Sequence, residues 1–337
     1  MKKRTLLIWV LLTGIILTSA IAYAQDPLPS WNEGPTKQAI IEFVKATTDQ
    51  SSPKFVPPAE RIATFDQDGT LWVSHPMYAQ VMYCLEQVPA VVKAKPELAK
   101  VEPFKTVMSG NRDAMAMLSM KDLEKILAVT LTGMSVEEFN AEVKKWLEKA
   151  RDPRWKRPYT ELTYLPMQEV LKYLRVNGYK TYIVTGGGQD FVRVYSEQAY
   201  GIPPEQVIGT AGGTKYGYSK DGKPFLTKEP KLLLNDDNAG KPEGIHLMIG
   251  RRPYAAFGNS PGDRQMLEYT KAGSGARLAM LVLHDDAKRE YAYGPALGLP
   301  NTKIGAFPQA LYDQAKKQGW VVISMKNDWK RIFAWEQ

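Results

Sequence analysis

From residue 158 onward, short runs rich in β-branched and aromatic residues alternate with amphipathic stretches of helical period. That alternation limits the chain to very few architectures. Extended runs at 179–184, 207–210, 255–257, 278–283 and 321–324 are separated by helical patterns at 167–176, 191–200 and around Ile245, Met266 and Leu311. Strands that alternate with helices of this length form crossover units, and crossovers join parallel strands. An earlier strand at 61–65 belongs to the same set. The expected fold is therefore α/β, a Rossmann-like doubly wound parallel sheet. Asn177-Gly178 marks a helix end and Asp221-Gly222 a hairpin turn.

One long segment interrupts the alternation. Residues 76–157 read as helical, with Ser135-Val136-Glu137-Glu138 forming a capping box ahead of Phe139, Val143 and Trp146 at helical spacing. Open α/β sheets bind ligands at the carboxyl ends of their strands, and this insertion springs from that edge, which predicts a lid. The chain then divides into a core of 25–75 and 158–337 and a helical cap of 76–157. The Pro-rich, polar segment 25–35 reads as a tether.

Composition narrows the chemistry. Of 337 residues, 44% are apolar and 24% charged, a globular mixture that excludes disorder, collagen and multi-pass membrane architecture. One cysteine, Cys84, excludes an intramolecular disulfide and any multi-cysteine zinc or iron–sulfur site, and it reads as a buried apolar residue. Three scattered histidines, His75, His246 and His284, argue against a histidine-rich metal centre. The chemistry falls to carboxylates, hydroxyls and lysines. The net charge is +8 with the basic residues dispersed, which gives no nucleic-acid footprint but suits an anionic substrate.

Lys2, Lys3 and Arg4 precede an apolar run from 6 to 24 that closes with Ala22-Tyr23-Ala24. These are the parts of a signal peptide, residues 1–24, cleaved after Ala24. The rival reading is an uncleaved anchor, since the run approaches the ~20 residues that span a bilayer. Gly14, Thr18, Ser19 and the Ala-x-Ala ending favour cleavage. The mature chain is expected to be periplasmic or secreted, without stable membrane association.

Four segments at strand ends complement one another. Asp66-Gln67-Asp68-Gly69-Thr70 places two carboxylates two apart just past a strand, where one can attack as nucleophile while the other handles protons. The same letters resemble the start of a calcium loop, but Leu71-Trp72-Val73 supplies none of the further acidic residues needed. Thr185-Gly186-Gly187-Gly188, between a strand and a helix, offers a hydroxyl and free amides to an anion. Lys241 stands at a helix start, where it opposes the helix dipole. Asn259 and Asp263, four apart after another strand, provide oxygen donors of the kind a hard divalent ion such as magnesium prefers. Trp72, His75 and Tyr78 follow the first segment and are candidates to face a leaving group, though packing is the blander role. Arg251-Arg252 reads as a solvated helix end more readily than as an anion site.

In order and context these segments resemble the motifs of the haloacid dehalogenase-like (HAD) hydrolase superfamily, over roughly 61–325. Phe65-Asp66-Gln67-Asp68-Gly69-Thr70-Leu71-Trp72 and Phe257-Gly258-Asn259-Ser260 look like exported, phosphoserine-phosphatase-like members. The insertion looks like the family's C1 cap; the 209–235 segment is too short for the alternative α/β cap. The resemblance implies a magnesium-dependent phosphatase acting on a small phosphomonoester. Asp66 would form an aspartyl-phosphate and Asp68 would serve as general acid and base. Thr185, the Gly186 amide and Lys241 would hold the phosphoryl group. Asp66, the Asp68 carbonyl, and Asn259 or Asp263 would bind the metal. Many relatives carry aspartate where this chain has Asn259. The alternatives are a non-catalytic phosphate- or metal-binding module, a phosphoryl mutase and a dehalogenase.

Overall fold

The computed structural model describes residues 26–336, so the signal peptide expected at 1–24 lies outside the described residues. Strands β1 (Ile62–Phe65), β2 (Lys180–Gly188), β3 (Val207–Tyr218), β4 (Pro224–Leu234), β5 (Ala255–Gly258), β6 (Leu278–Leu283) and β7 (Val321–Ser324) form one sheet, in the order β4-β3-β2-β1-β5-β6-β7. Every neighbouring pair is parallel except β3 with β4. Helix α1 (Pro35–Thr48) precedes β1. The insertion carries α2 (Ala79–Ala94), α3 (Phe104–Met108), α4 (Arg112–Ala116), α5 (Met120–Thr130) and α6 (Val136–Lys149), and α7 (Leu165–Val176) leads into β2. Two short helices, α8 (Gln189–Arg193) and α9 (Ser196–Tyr200), follow β2. Helices α10 (Gly240–Ile249), α11 (Arg264–Lys271) and α12 (Gln309–Lys317) precede β5, β6 and β7 respectively.

Strand alternation sends successive side chains to opposite faces, and both faces are apolar because both are covered. On β6, Leu278, Met280 and Val282 join the layer containing Phe43 and Val44 of α1 and Val170 and Leu171 of α7. Ala279, Leu281 and Leu283 join Ile245, Met266 and Leu311 on the other face. This is the doubly wound, Rossmann-like arrangement. Strand order runs outward in both directions from β1 and β5, so the switch point, where such sheets open a crevice, lies between them. Phe65 and Phe257 are register partners there, their rings stacked at 4.4 Å and 2°.

Three expectations need correction. Residues 26–34 are no loose tether: buried Trp31 donates from Nε1 to the Pro166 carbonyl (3.1 Å) and meets Trp329 edge-on at 5.9 Å. Lys37 Nζ adds ion pairs to Asp26 and Glu33, each at 2.6 Å. Proline content suggested a linker, but aromatic burial outweighs it. The single helix expected at 191–200 is broken at Tyr195 (φ −125°, ψ −8°), whose ring stacks on Trp72 at 4.7 Å. β3 continues to residue 218, and the Asp221-Gly222 turn (Gly222 φ +76°) joins it to antiparallel β4.

The insertion meets the core at several places, α8 and β4 among them. Tyr83 of α2 and Trp146 of α6 pack on Phe191 of α8. Gly133 N donates to Lys228 O and Lys228 N to Met134 O, both at 2.9 Å, which docks the insertion onto β4.

Candidate active site

Asp66 and Asp68 leave β1 in a tight turn. Thr70 N and Leu71 N donate to Gln67 O at 3.2 and 2.9 Å, and Gly69 N donates to Trp72 O at 2.8 Å. Gly69 takes φ +84°, and a Cβ there would lie 2.1 Å from Asn259 Nδ2, so conformation and close approach both require glycine. Asp66 is buried. Its Oδ1 accepts from Lys241 Nζ at 2.6 Å, and the same ammonium donates to Val184 O and pairs with Asp263 Oδ1, each at 2.7 Å. Lys241 lies in the first turn of α10, where the helix dipole repels it; carboxylate partners offset that penalty.

Oxygens crowd the crevice between β1 and β5. The Asn259 amide approaches Asp66 Oδ2 (3.2 Å), the Asp68 carbonyl oxygen (3.1 Å) and Thr70 Oγ1 (3.2 Å). Ligand oxygens at about 2.1 Å in an octahedron around magnesium lie roughly 3 Å apart, so this spacing fits such an ion. The charge balance fits it too. One ammonium faces Asp66 and Asp263, with Asp236 buried nearby. Burial, then the Asp263 charge, pushes Asp66 up to about 8. Burial pushes Asp236 up to about 8 as well, although Lys241 pulls the other way. Asp66 Oδ2, the Asp68 carbonyl and Asn259 Oδ1 would hold a magnesium ion. Among the described residues no group of three or more His, Cys, Asp or Glu side chains forms a metal site; the donors here include a main-chain carbonyl and an amide.

Asp263 stands behind this cluster rather than in it. Its Oδ1 pairs with Lys241, and its Oδ2 accepts from Asn259 N (2.9 Å), Ser260 N (3.0 Å) and Ser260 Oγ (3.2 Å). Both of its oxygens are thus engaged, and through them Asp263 touches Lys241 on one side and the Asn259 main chain on the other.

Asp68 has different partners. Its Oδ1 accepts from Trp72 Nε1 at 2.7 Å. Burial raises its pKa to about 6, against the opposing effects of the indole hydrogen bond and the Lys241 charge. Its Oδ2 faces the glycine loop, 3.8 Å from where a Gly187 Cβ would stand. In that loop Gly187 N donates to Thr185 Oγ1 (3.0 Å), and Gly186 O accepts from Thr210 Oγ1 (2.8 Å). The loop is not the start of a long helix, as the sequence suggested. β2 runs on through Gly188 with a register shift after Thr185, and α8 has only five residues.

One further residue comes into view only in three dimensions, and three named from the sequence find their places. Gln80 of α2 reaches from the insertion to accept from Gly188 N at 2.7 Å. Tyr78 lies near Asp68, whose charge adds to burial in raising the phenol pKa. His75 is packed against Tyr293 (3.6 Å) and linked to Thr302 Oγ1 (3.1 Å), and burial lowers its pKa to about 4. Arg252 stacks on Tyr269 at the amino end of β5, away from the crevice.

Residues 63–268 match the family described as haloacid dehalogenase-like hydrolase, and the chain belongs to that family. Among solved structures, a conserved functionally unknown protein from Anaerococcus prevotii DSM 20548 is similar at 16% identity, covering 78% of this chain and 89% of that one with a TM-score of 0.51. A protein of unknown function from Bordetella pertussis Tohama I gives 17% identity, 78% and 98% coverage and a TM-score of 0.48. A phosphoserine phosphohydrolase-like protein from Francisella tularensis subsp. tularensis SCHU S4 gives 18%, 66% and 88%, and 0.36. The first of these likenesses shows a shared fold. No curated protein matches the sequence.

Proposed function

We propose that the chain is a phosphatase that hydrolyses a small phosphomonoester with the help of magnesium. The observation that carries this reading is the contrast between a buried and a half-buried carboxylate on one turn: Asp66 held by Lys241, Asp68 held by Trp72. Asp66 Oδ1 attacks phosphorus, forming an aspartyl-phosphate as the phosphorus–oxygen ester bond breaks. Protonated Asp68 gives its proton to the departing oxygen. As a carboxylate, Asp68 then takes a proton from the water that attacks the phosphoenzyme, releasing inorganic phosphate and restoring Asp66. A pKa near 6 suits a group that must do both. Thr185 Oγ1 and the Gly186 amide hold phosphoryl oxygens, and Lys241 offsets charge on Asp66 and the phosphoryl group. Magnesium, when bound, neutralises charge on the phosphoryl oxygens and on Asp66. The helical insertion acts as a cap, with Gln80 reaching the glycine loop and excluding water. After loss of residues 1–24 the enzyme works outside the cytoplasm on a small phosphorylated substrate.

A dehalogenase has no use for Asp68 as acid and base, which favours phosphoryl chemistry. The test is turnover of a chromogenic phosphomonoester with and without magnesium, in the parent and in Asp66→Asn. Magnesium-dependent hydrolysis that the variant abolishes is the expected result. Tight phosphate binding without turnover in the parent would mean a binding module instead.

A further inference from the structure

We infer that His284, oriented by Glu290, is a positioning residue that fixes the Asp66–Thr70 turn through the Gly69 carbonyl; the inference rests on the phosphatase reading above. His284 follows β6, yet its Nε2 reaches past β5 to lie 2.8 Å from Gly69 O. Its Nδ1 lies 3.0 Å from Glu290 Oε2. Histidine and glutamate are 1% and 0% exposed.

The proton count follows from the partners. A carbonyl oxygen only accepts, so Nε2 must carry hydrogen. The remaining proton is then shared between Nδ1 and Glu290, and the pair is neutral overall whichever atom holds it. This is the logic by which a carboxylate fixes the tautomer and orientation of a working histidine.

The contact acts where the chemistry is most sensitive. Gly69 sits between the Asp68 carbonyl and Thr70 Oγ1, both of which approach the Asn259 amide. A shift of the Gly69 carbonyl therefore moves two members of the oxygen cluster together with the Asp68 side chain. The same loop holds the turn's exit: Tyr293 stacks on the His284 ring at 4.2 Å, and its hydroxyl meets Ser74 Oγ at 2.7 Å. Burying this pair is costly, because Glu290 Oε1 finds no donor among the described residues. An apolar pair would pack there without that cost, so stability alone does not account for the pair.

Three variants test the inference: His284→Phe removes both hydrogen bonds, His284→Gln places an amide nitrogen near the position of Nε2, and Glu290→Gln can donate to Nδ1 and so keep the Nε2–H tautomer. Phenylalanine is expected to lower kcat about 10²-fold, the order associated with a 1 Å misplacement, with KM little changed. Glutamine at 284 should recover most of the loss, and Glu290→Gln should stay near the parent. A folded His284→Phe with the parent kcat, or a His284→Gln no better than phenylalanine, would overturn the inference. If phenylalanine prevents folding, the two glutamine variants decide. Imidazole nitrogen NMR gives a readout free of turnover: Nε2 should carry a proton, whether or not Nδ1 carries one too. A ring protonated at Nδ1 alone would sink the inference even in an active enzyme. A parent that hydrolyses no phosphomonoester defeats the phosphatase reading, and the tautomer then decides the Gly69 contact on its own.

Discussion

Trp72 Nε1 donates to Asp68 Oδ1 at 2.7 Å, so the second carboxylate of the turn is tethered by an indole four places further on. The tether favours the carboxylate, and its loss should raise the pKa of Asp68 above about 6. Trp72→Phe keeps an aromatic ring against Tyr195 but lacks the donor. The limb of the pH–rate profile that falls as Asp68 loses its proton should move up by roughly one pH unit, the worth of one hydrogen bond to a charged group. An unmoved limb in kcat/KM would remove Trp72 from the mechanism. Asp68→Asn, by comparison, should cost on the order of 10²–10⁴ in rate.

Lys241→Met should fail in two ways. It leaves Asp66 and Asp263 facing each other without their shared cation, and breaking a buried pair costs about 3–5 kcal/mol. Denaturant unfolding should show that loss, and turnover should vanish even at temperatures where the variant is folded.

Magnesium should stabilise the protein more at pH 8 than at pH 5. Burial raises Asp66 and Asp236 to about 8 and Asp68 to about 6, above the ordinary aspartate value of 3.8. Between these limits the folded chain holds protons that the unfolded chain has released, so ion-free stability falls as pH rises from about 4 to 8. A divalent ion favours the ionised carboxylates and opposes the fall. Thermal melts across that range, in chelator and in magnesium, should diverge as pH increases. Parallel curves would contradict the metal assignment.

Gly188→Ala should mimic Gln80→Ala. A Cβ at 188 would stand 2.5 Å from Gln80 Nε2, so the flexible amide gives way and the contact between insertion and glycine loop is lost. Both variants should raise KM for a phosphomonoester more than they lower kcat, and the double variant should add little to either alone. Additive effects would mean that the two residues do not act through each other.

The parts of the site set by local pattern were readable before the fold was known. Asp66, Lys241 and Asn259 each stand at a strand or helix end that hydrophobic periodicity marks. The doubly wound sheet follows from the same periodicity. Contacts made by long-range approach left no such trace. His284 meets Gly69 across 215 residues, and Gln80 meets Gly188 across 108. Nothing in a window around either residue encodes its partner. Asp263 shows a subtler limit. The spacing of oxygens after β5 was legible, but not that the 259–260 amides and Lys241 would occupy both of its carboxylate oxygens. The Trp31–Trp329 contact was hidden for a related reason: local composition does not report what the far end of the chain brings to it.

The face-to-face Phe65 and Phe257 rings act as a gauge for everything built beyond them. Each is the last apolar residue before a reacting segment, and Asp66 N is bonded back to the Phe257 carbonyl at 2.9 Å. Sliding one strand past the other by a single residue would carry Asp66 about 3.3 Å from its place beside Asn259 and turn its side chain to the opposite face. A mismatch of that size exceeds the reach of any rotamer adjustment, so the meeting of Asp66 with Asn259 depends on the register in which these two buried rings stack.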